Sequence, residues 1–287
     1  MRGGIALACA VSLDHGVFVG AQDEKEAARA VVAEMRAGTG GGAGSKPVQA
    51  LSLFGTLKRV FVGGSAAGTF QQYALQMYIA LPASYLRREI ARVESGTVTY
   101  DYGFRGEVLL NRVTASGPDM QFGGSWGPDQ LDTEKIEFAR FILGSLGLDT
   151  AVMPLEFKVR RSGEAQRGTS TVLDVTGPRS FAAALHIDTR THRPAMLSYA
   201  APTRLPPAKA AKAAAPVVQA IGTISGPPAA ELRDVEITFS DRRPVNGVYF
   251  PYRITKSAAG VTLEEIAFSK VVINPTIVPE EFRNRLQ

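Results

Sequence analysis

Residues 235–254, VEITFSDRRPVNGVYFPYRI, carry the clearest structural signal in the chain. Apolar and polar side chains alternate on both sides of a central Asn246-Gly247 pair. A period of two is typical of a strand with one buried face, and Asn-Gly is a strong signal for a two-residue hairpin turn. The stretch therefore predicts two antiparallel strands joined by a tight turn. Pro251 has no backbone N–H to donate, which predicts an edge position for its strand.

The same period recurs over most of the chain, which predicts a mainly β protein. Its apolar stripes are Leu51, Leu53 and Leu57; Tyr73, Leu75, Met77, Ile79 and Leu81; Leu155, Phe157 and Val159; and Thr171, Leu173 and Val175. Strands of this kind build an antiparallel sheet with one apolar and one solvated face. Residues 84–93 are compatible with either a capped helix or a charged strand. We favour the strand because its neighbours are strands.

Two segments have helical composition or period. Residues 23–35 are rich in Ala, Glu, Lys and Arg and predict a short helix. Residues 133–146 predict a second helix, with Asp132 as its N-cap and Gly144 or Gly147 at its end. Residues 202–216 have a low-complexity, proline- and alanine-rich composition, which predicts a long loop between two strands. Together these patterns predict one domain over residues 22–287.

The amino-terminal pattern predicts a secretory signal peptide over residues 1–21. A short basic start precedes an apolar run, and Val19-Gly20-Ala21 forms a small-residue cleavage pattern. This predicts export to the periplasm. The alternatives are a mis-assigned start and a cytoplasmic protein with an apolar first segment. A lipid-anchored form at Cys9 is less favoured, because the apolar run before Cys9 is short.

Composition narrows the classes of function. Apolar residues make up 45% of the chain, enough for a sizeable core. The net charge of +5 is spread along the sequence without an aromatic-interleaved basic stripe, so we expect no nucleic-acid partner. Cys9 is the only cysteine, and two histidines remain beyond the predicted leader. We therefore expect no metal site.

The polar residues offer little for catalysis. His186 and Asp188 share one side of a predicted strand, but no nucleophile motif accompanies them, so we interpret them as a structural pair. Glu264-Glu265 would point to opposite faces of a strand and are interpreted as solvated charge. We expect no enzyme activity.

Arg59 is the unusual polar residue of the apolar stripes. Continuing the two-residue period from Leu51 through Leu57 places Arg59 on the apolar face, where a cation needs a partner or a function. A bulge at Gly55 that returns Arg59 to solvent is the favoured interpretation.

The ordered set of motifs resembles the LolA/LolB-like outer-membrane lipoprotein carrier superfamily. The residues that carry the resemblance are the leader and the short helix after it, then LSLFGTL at 51–57, IDTRTHRPAMLSY at 187–199, FSDRRPVNGVYFPYRI at 239–254, Ile273-Asn274-Pro275 and Glu281-Phe282. The resemblance implies a half-open antiparallel β-barrel of roughly eleven strands, wrapped around one or two helices. The chain has no secure match for the functional arginine of that family, and Arg59 is the candidate for that residue.

What the resemblance implies for function is a periplasmic binder or carrier of lipoprotein acyl chains or other lipids, without metal or organic cofactor. Membrane-associated envelope proteins are further candidate partners. The alternative is a non-catalytic structural or signalling module of the cell envelope whose cavity is filled by its own side chains. A hydrolase is a distant third. For the apolar cavity and its helical lid we predict these ligand-binding residues: Leu75, Met77, Ile79, Phe138, Phe141, Ile142, Phe157 and Phe250.

Overall fold

Twelve antiparallel strands form one open sheet, and two helices pack against it. The computed structural model describes residues 16–40, 46–60, 68–93, 96–116, 129–160, 170–205 and 230–275. The helices are α1 (Gly16–Thr39) and α2 (Gln130–Leu146). The strands are β1 (Ala50–Val60), β2 (Phe70–Ala80), β3 (Ser84–Val93), β4 (Gly96–Arg105), β5 (Val108–Ser116), β6 (Glu156–Val159), β7 (Ser170–Gly177), β8 (Phe181–Asp188), β9 (Arg193–Thr203), β10 (Glu231–Val245), β11 (Val248–Ala258) and β12 (Val261–Ile273).

The strand order is β5-β4-β3-β2-β1-β12-β11-β10-β9-β8-β7-β6. Strands that are consecutive in sequence therefore pair with each other, with the exception of β5 and β6, which form the two edges of the sheet. At the centre, the first strand β1 pairs with the last strand β12. The edge strands β5 and β6 are not paired with each other, so the sheet stays open. The predicted mainly β, half-open architecture is confirmed, with twelve strands where the sequence predicted roughly eleven.

The hairpin at residues 235–254 is confirmed. β10 pairs with β11 from Val235↔Ala258 to Val245↔Val248. Asn246 and Gly247 between them have positive φ angles of 48° and 85°. Two left-handed residues match the right-handed twist of the flanking strands, as a type I′ turn requires. The strand interpretation of residues 84–93 is also confirmed, because β3 pairs with both β2 and β4.

The predicted edge position of Pro251 is wrong for the strand as a whole. β11 lies inside the sheet, between β10 and β12. The ladder between β11 and β12, however, begins only at Arg253↔Ala267. Pro251 therefore lies in a part of β11 that pairs with β10 alone, and its missing N–H interrupts no ladder with β12.

Helix α2 lies on the apolar face of the sheet, packed against β4, β9 and β11. Phe138 is fully buried, and its ring centroid is 5.3 Å from that of Phe104 and 5.4 Å from that of Tyr85. Gly144 allows close approach to the sheet, since a Cβ there would lie 1.8 Å from the Phe239 ring. The predicted N-cap is wrong: Asp129 takes the cap position, and Asp132 lies in the first turn, paired with Arg179. The helix ends at the left-handed Gly147, as predicted.

Helix α1 contains the predicted residues 23–35 and extends them in both directions, packing against β6, β9 and β11. The Thr39 hydroxyl donates to the Leu146 carbonyl at 3.1 Å, which joins the ends of the two helices. Of the predicted loop 202–216, Pro202 and Thr203 end β9, and residues 206–216 lie outside the described residues. Residues 1–15 of the predicted leader also lie outside them. Within the described ranges, neither helix has the length and apolar character that crossing a membrane requires.

Candidate functional site

Most of the predicted ligand residues lie in a packed core under α2. Leu75, Met77 and Ile79 on β2 are at most 2% exposed and belong to the hydrophobic core that includes α2. Phe138, Ile142 and Phe250 are fully buried, and the ring of the half-buried Phe141 lies 6.3 Å from that of Phe250. These seven residues belong to one continuous hydrophobic core. Their role in ligand binding remains a prediction.

Phe157, the eighth predicted residue, lines an open groove between α1 and the edge strand β6. This α1 groove has a volume of about 840 Å³. Its lining residues are Lys25, Ala28, Arg29, Val32, Ala33, Arg36, Ala37, Asp149, Leu155, Glu156 and Phe157. Ala28 and Val32 are buried on the helix side, while Leu155 and Phe157 are half-buried and pack against the core. The groove therefore has an apolar floor that continues into the hydrophobic core.

A smaller pocket of about 330 Å³ adjoins the α1 groove and shares Lys25, Glu156 and Phe157 with it. Ion pairs border this region. Arg36 lies 2.8 Å from Asp149, and Lys158 lies 3.3 Å from Glu24. The apolar floor is thus bordered by charged side chains on both walls, an arrangement suited to an amphiphilic molecule.

Arg59 belongs to a ring of four charged side chains on the concave face. Its guanidinium donates to both oxygens of Glu89 at 2.8 and 2.9 Å, and to Glu264 Oε2 at 3.0 and 3.1 Å. Arg87 lies 2.7 Å from Glu89 and 3.1 Å from Glu264. Each arginine therefore bridges both carboxylates. We call these four residues the charged ring.

The interpretation that a bulge returns Arg59 to solvent is wrong. An irregularity does occur beside Gly55, but the β1–β12 pairing steps from Phe54↔Lys270 to Gly55↔Phe268. The extra residue is thus Ser269 on β12, and the alternation of β1 is unbroken. Arg59 stays on the same face as the fully buried Leu57.

The interpretation of Glu264-Glu265 as solvated charge is wrong for Glu264. Burial would raise the pKa of its carboxyl, but Arg87, Arg59 and Lys256 outweigh burial and lower it to about 2. Glu265 points to the other face and pairs with Arg253 at 2.9 Å. Sequence analysis missed Arg87, Glu89 and Glu264 as a group. These residues come from different strands, and only the pairing register of β3, β1 and β12 shows that their side chains lie on the same face of the sheet.

Lys256 on β11 connects the sheet to α2. It lies opposite Glu264 in the β11–β12 ladder, and its ammonium lies 3.3 Å from Glu137 of α2. Burial would raise the pKa of Glu137, but Lys256 and Arg140 lower it. The Arg140 guanidinium in turn lies 3.4 Å from the centre of the Tyr199 ring. The middle of α2 therefore rests on the sheet through a charged layer beside its apolar contacts.

His186 and Asp188 lie on β8, and Asp188 stabilises the turn that follows. One oxygen of Asp188 accepts hydrogen bonds from the backbone N–H groups of Arg190 and Thr191, and from the Thr191 hydroxyl. These bonds lower the pKa of the Asp188 carboxyl. This carboxylate therefore has a turn-stabilising role, while a pairing of His186 with Asp188 stays a prediction.

Comparison with solved structures gives two similar proteins. A LolA superfamily protein from Nitrosomonas europaea matches at 10% identity and a TM-score of 0.47, covering 88% of this chain and 96% of its own. A DUF1329 family protein from Desulfovibrio piger matches at 11% identity and a TM-score of 0.49, covering 92% of this chain and 99% of its own. The first bears the name of the superfamily that the sequence motifs resemble. No protein-family model and no curated protein sequence matches the chain.

Proposed function

We propose that this protein is a non-catalytic periplasmic binder or carrier of acyl chains, either those of lipoproteins or those of other lipids. The observation that carries this proposal is the α1 groove, an open site of about 840 Å³ with an apolar floor and charged borders. Pockets for small ligands commonly measure about 300–1,000 Å³ and are mostly apolar.

The groove accounts for both binding and release. Each methylene transferred from water into it contributes about 0.8 kcal/mol, so a long acyl chain gains substantial free energy. The cost of immobilising the chain offsets part of that gain. One side of the groove is also open to solvent along α1. The balance favours an exchangeable complex, as a carrier requires. Envelope proteins that deliver or accept the lipid are the partners that such a role needs.

One observation favours the alternative, a structural or signalling module with a self-filled cavity. The concave face beneath α2 is occupied by the protein's own side chains, with Phe138, Ile142 and Phe250 fully buried. A chain bound there would have to displace α2. The α1 groove requires no such displacement, and for this reason we place the ligand in the groove.

Filling the groove tests the proposal. Ala33 lines the groove and is exposed, so an Ala33→Trp side chain fits without disturbing the core. We expect this variant to bind the uncharged fluorescent probe N-phenylnaphthylamine at least about tenfold more weakly than the wild type, because the indole occupies the apolar floor. Ala30→Trp, at an exposed position of α1 outside the groove lining, is the matched control and keeps wild-type affinity.

Circular dichroism establishes that both variants fold, and native mass spectrometry of the wild type detects lipid that co-purifies. If the wild type bound neither probe nor lipid, the self-filled module would replace the carrier. Equal weakening by Ala33→Trp and Ala30→Trp would remove the groove as the site.

Export is a separate prediction. Cleavage after Ala21 gives a mature chain that begins at Gln22, as the Val19-Gly20-Ala21 pattern indicates. It shortens α1 at its amino end and leaves the groove residues, which begin at Lys25, in place. N-terminal sequencing of the protein from fractionated cells measures this directly. Intact Met1 on cytoplasmic protein would contradict it.

A further inference from the structure

Two cations on the wall of the α1 groove have no counter-ion among the residues that the structure describes. Lys25 and Arg29 are both exposed and both line the groove. They are four residues apart on one helix, which places them side by side on the same face. Among the described residues, neither takes part in an ion pair. Arg36 and Lys158, in contrast, are matched by Asp149 and Glu24.

The groove therefore has an excess of positive charge once its ion pairs are set aside. Glu156 on β6 is the one carboxylate of the lining without an ion-pair partner in the described part of the chain, against the two cations on α1. The cations are adjacent and can contact one small group together, whereas Glu156 lies on the opposite wall. The apolar floor begins at Ala28, within one turn of both cations, and continues at Val32, within one turn of Arg29.

We infer that the ligand of the α1 groove is a single-chain amphiphile with an anionic headgroup, bound as a monomer. This inference rests on the proposed function and specifies its ligand. The headgroup lies between Lys25 and Arg29, and the chain follows the floor towards Leu155 and Phe157. A volume of about 840 Å³ suits one molecule of modest size.

A membrane surface is a poorer match than a monomer. The apolar residues of α1 in the groove are nearly covered, with Ala28 at 3% and Val32 at 8% exposure, whereas a helix that inserts into a membrane surface presents its apolar face to the lipid. The same helix also exposes Glu26 and Glu34. These carboxylates oppose the attraction that a polybasic surface has for anionic lipid.

The test compares two ligands that differ only in the headgroup, hexadecanoate and hexadecanol. Both are titrated into the protein below their solubility limits in water, at a pH where the carboxylate is ionised. Two solvent-exposed charge contacts are each modest, so we expect the wild type to bind hexadecanoate roughly tenfold more tightly than the alcohol. Added salt reduces this preference, because exposed charges are screened.

Neutralising the two cations removes the preference and leaves the apolar contribution. In Lys25→Gln/Arg29→Gln, we expect hexadecanoate binding to fall to the level of hexadecanol binding, so that the ratio of the two affinities approaches one. Lys58→Gln/Arg92→Gln is the matched control, since it removes the same charge from two exposed cations of the sheet. This control retains the roughly tenfold preference.

The outcomes separate this inference from the proposed function. Equal affinity of the wild type for both ligands, with both weakened by Ala33→Trp, overturns the anionic headgroup while the acyl-chain site stands. Binding of neither ligand removes the proposed function itself. Sedimentation with anionic phospholipid vesicles, without binding of monomeric hexadecanoate, overturns the inference in favour of a membrane-surface contact.

Discussion

Replacing Arg242 with Met is expected to lower the free energy of unfolding by about 4 kcal/mol, because it leaves several buried carbonyls without a donor. The Arg242 guanidinium donates to the carbonyls of Gly144, Ser145, Pro194 and Tyr249 at 2.6 to 3.0 Å. Two of these acceptors belong to the last turn of α2, whose carbonyls have no partner within the helix. Arg242 therefore anchors the end of α2 to the sheet.

The electrostatics support this role. Burial, followed by the nearby Arg193, lowers the pKa of Arg242 to about 10, so the group remains charged at neutral pH. A positive charge at a helix carboxyl end interacts favourably with the helix dipole. Arg242→Lys is expected to recover part of the loss, since an ammonium keeps the charge but has three donors instead of a planar fork.

Arg243→Met is the matched control for Arg242. Arg243 is exposed, pairs with Asp241 at 2.7 Å and lies 4.4 Å from the Tyr252 ring centre. Its loss is expected to cost below about 1 kcal/mol, as for other exposed ion pairs. Urea-induced unfolding of the three variants measures the difference. Similar losses for Arg242→Met and Arg243→Met would show that Arg242 does not anchor α2.

Replacing Glu264 with Gln is expected to lower the free energy of unfolding by about 3 kcal/mol at pH 7, because it removes the shared partner of Arg59, Arg87 and Lys256. The size follows from the pKa of about 2 that the three cations give Glu264, against a reference value of 4.5. Glu265→Gln, at the neighbouring position on the other face of the strand, is the matched control and is expected to cost less than about 1 kcal/mol, because among the described residues Glu265 pairs only with the exposed Arg253.

The pH dependence distinguishes this electrostatic effect from a packing effect. The pKa of Glu264 is lower in the folded state than in the unfolded state. Its contribution is therefore complete above about pH 5 and is lost as the pH falls towards 2. The difference in stability between wild type and Glu264→Gln should shrink over that range. A difference that stays constant from pH 7 to pH 3 would contradict the pKa argument.

The two pairs of neighbouring residues show why sequence reasoning located the fold better than the site. Arg242 and Arg243 are adjacent and chemically identical, as are Glu264 and Glu265. Arg242 and Glu264 are partly buried and contact α2 and the charged ring, whereas Arg243 and Glu265 lie on the other face and pair with Asp241 and Arg253. Which member is which depends on strand register and on where α2 lies, and both are set by contacts between residues distant in sequence.

The predicted ligand residues also show which features follow from local patterns and which depend on long-range packing. The alternation of Leu75, Met77 and Ile79, and the apolar face of α2, correctly predicted residues that meet in the core. Whether such residues enclose an open cavity or fill it depends on the distance between α2 and the sheet, and a difference of one side-chain width decides between the two. Gly144 against Phe239 is one contact that brings α2 close enough to fill it.

The chain's local patterns were sufficient for the strands, the Asn246-Gly247 hairpin and the helical segments, because side-chain period and turn chemistry act over a few residues. They also identified Arg59 as an unusual residue on an apolar face. The charged ring, the Arg242 anchor and the α1 groove arise from long-range packing. They join β1 to β3 and β12, β10 to α2, and α1 to β6, and no local pattern encodes distances between elements so far apart in sequence.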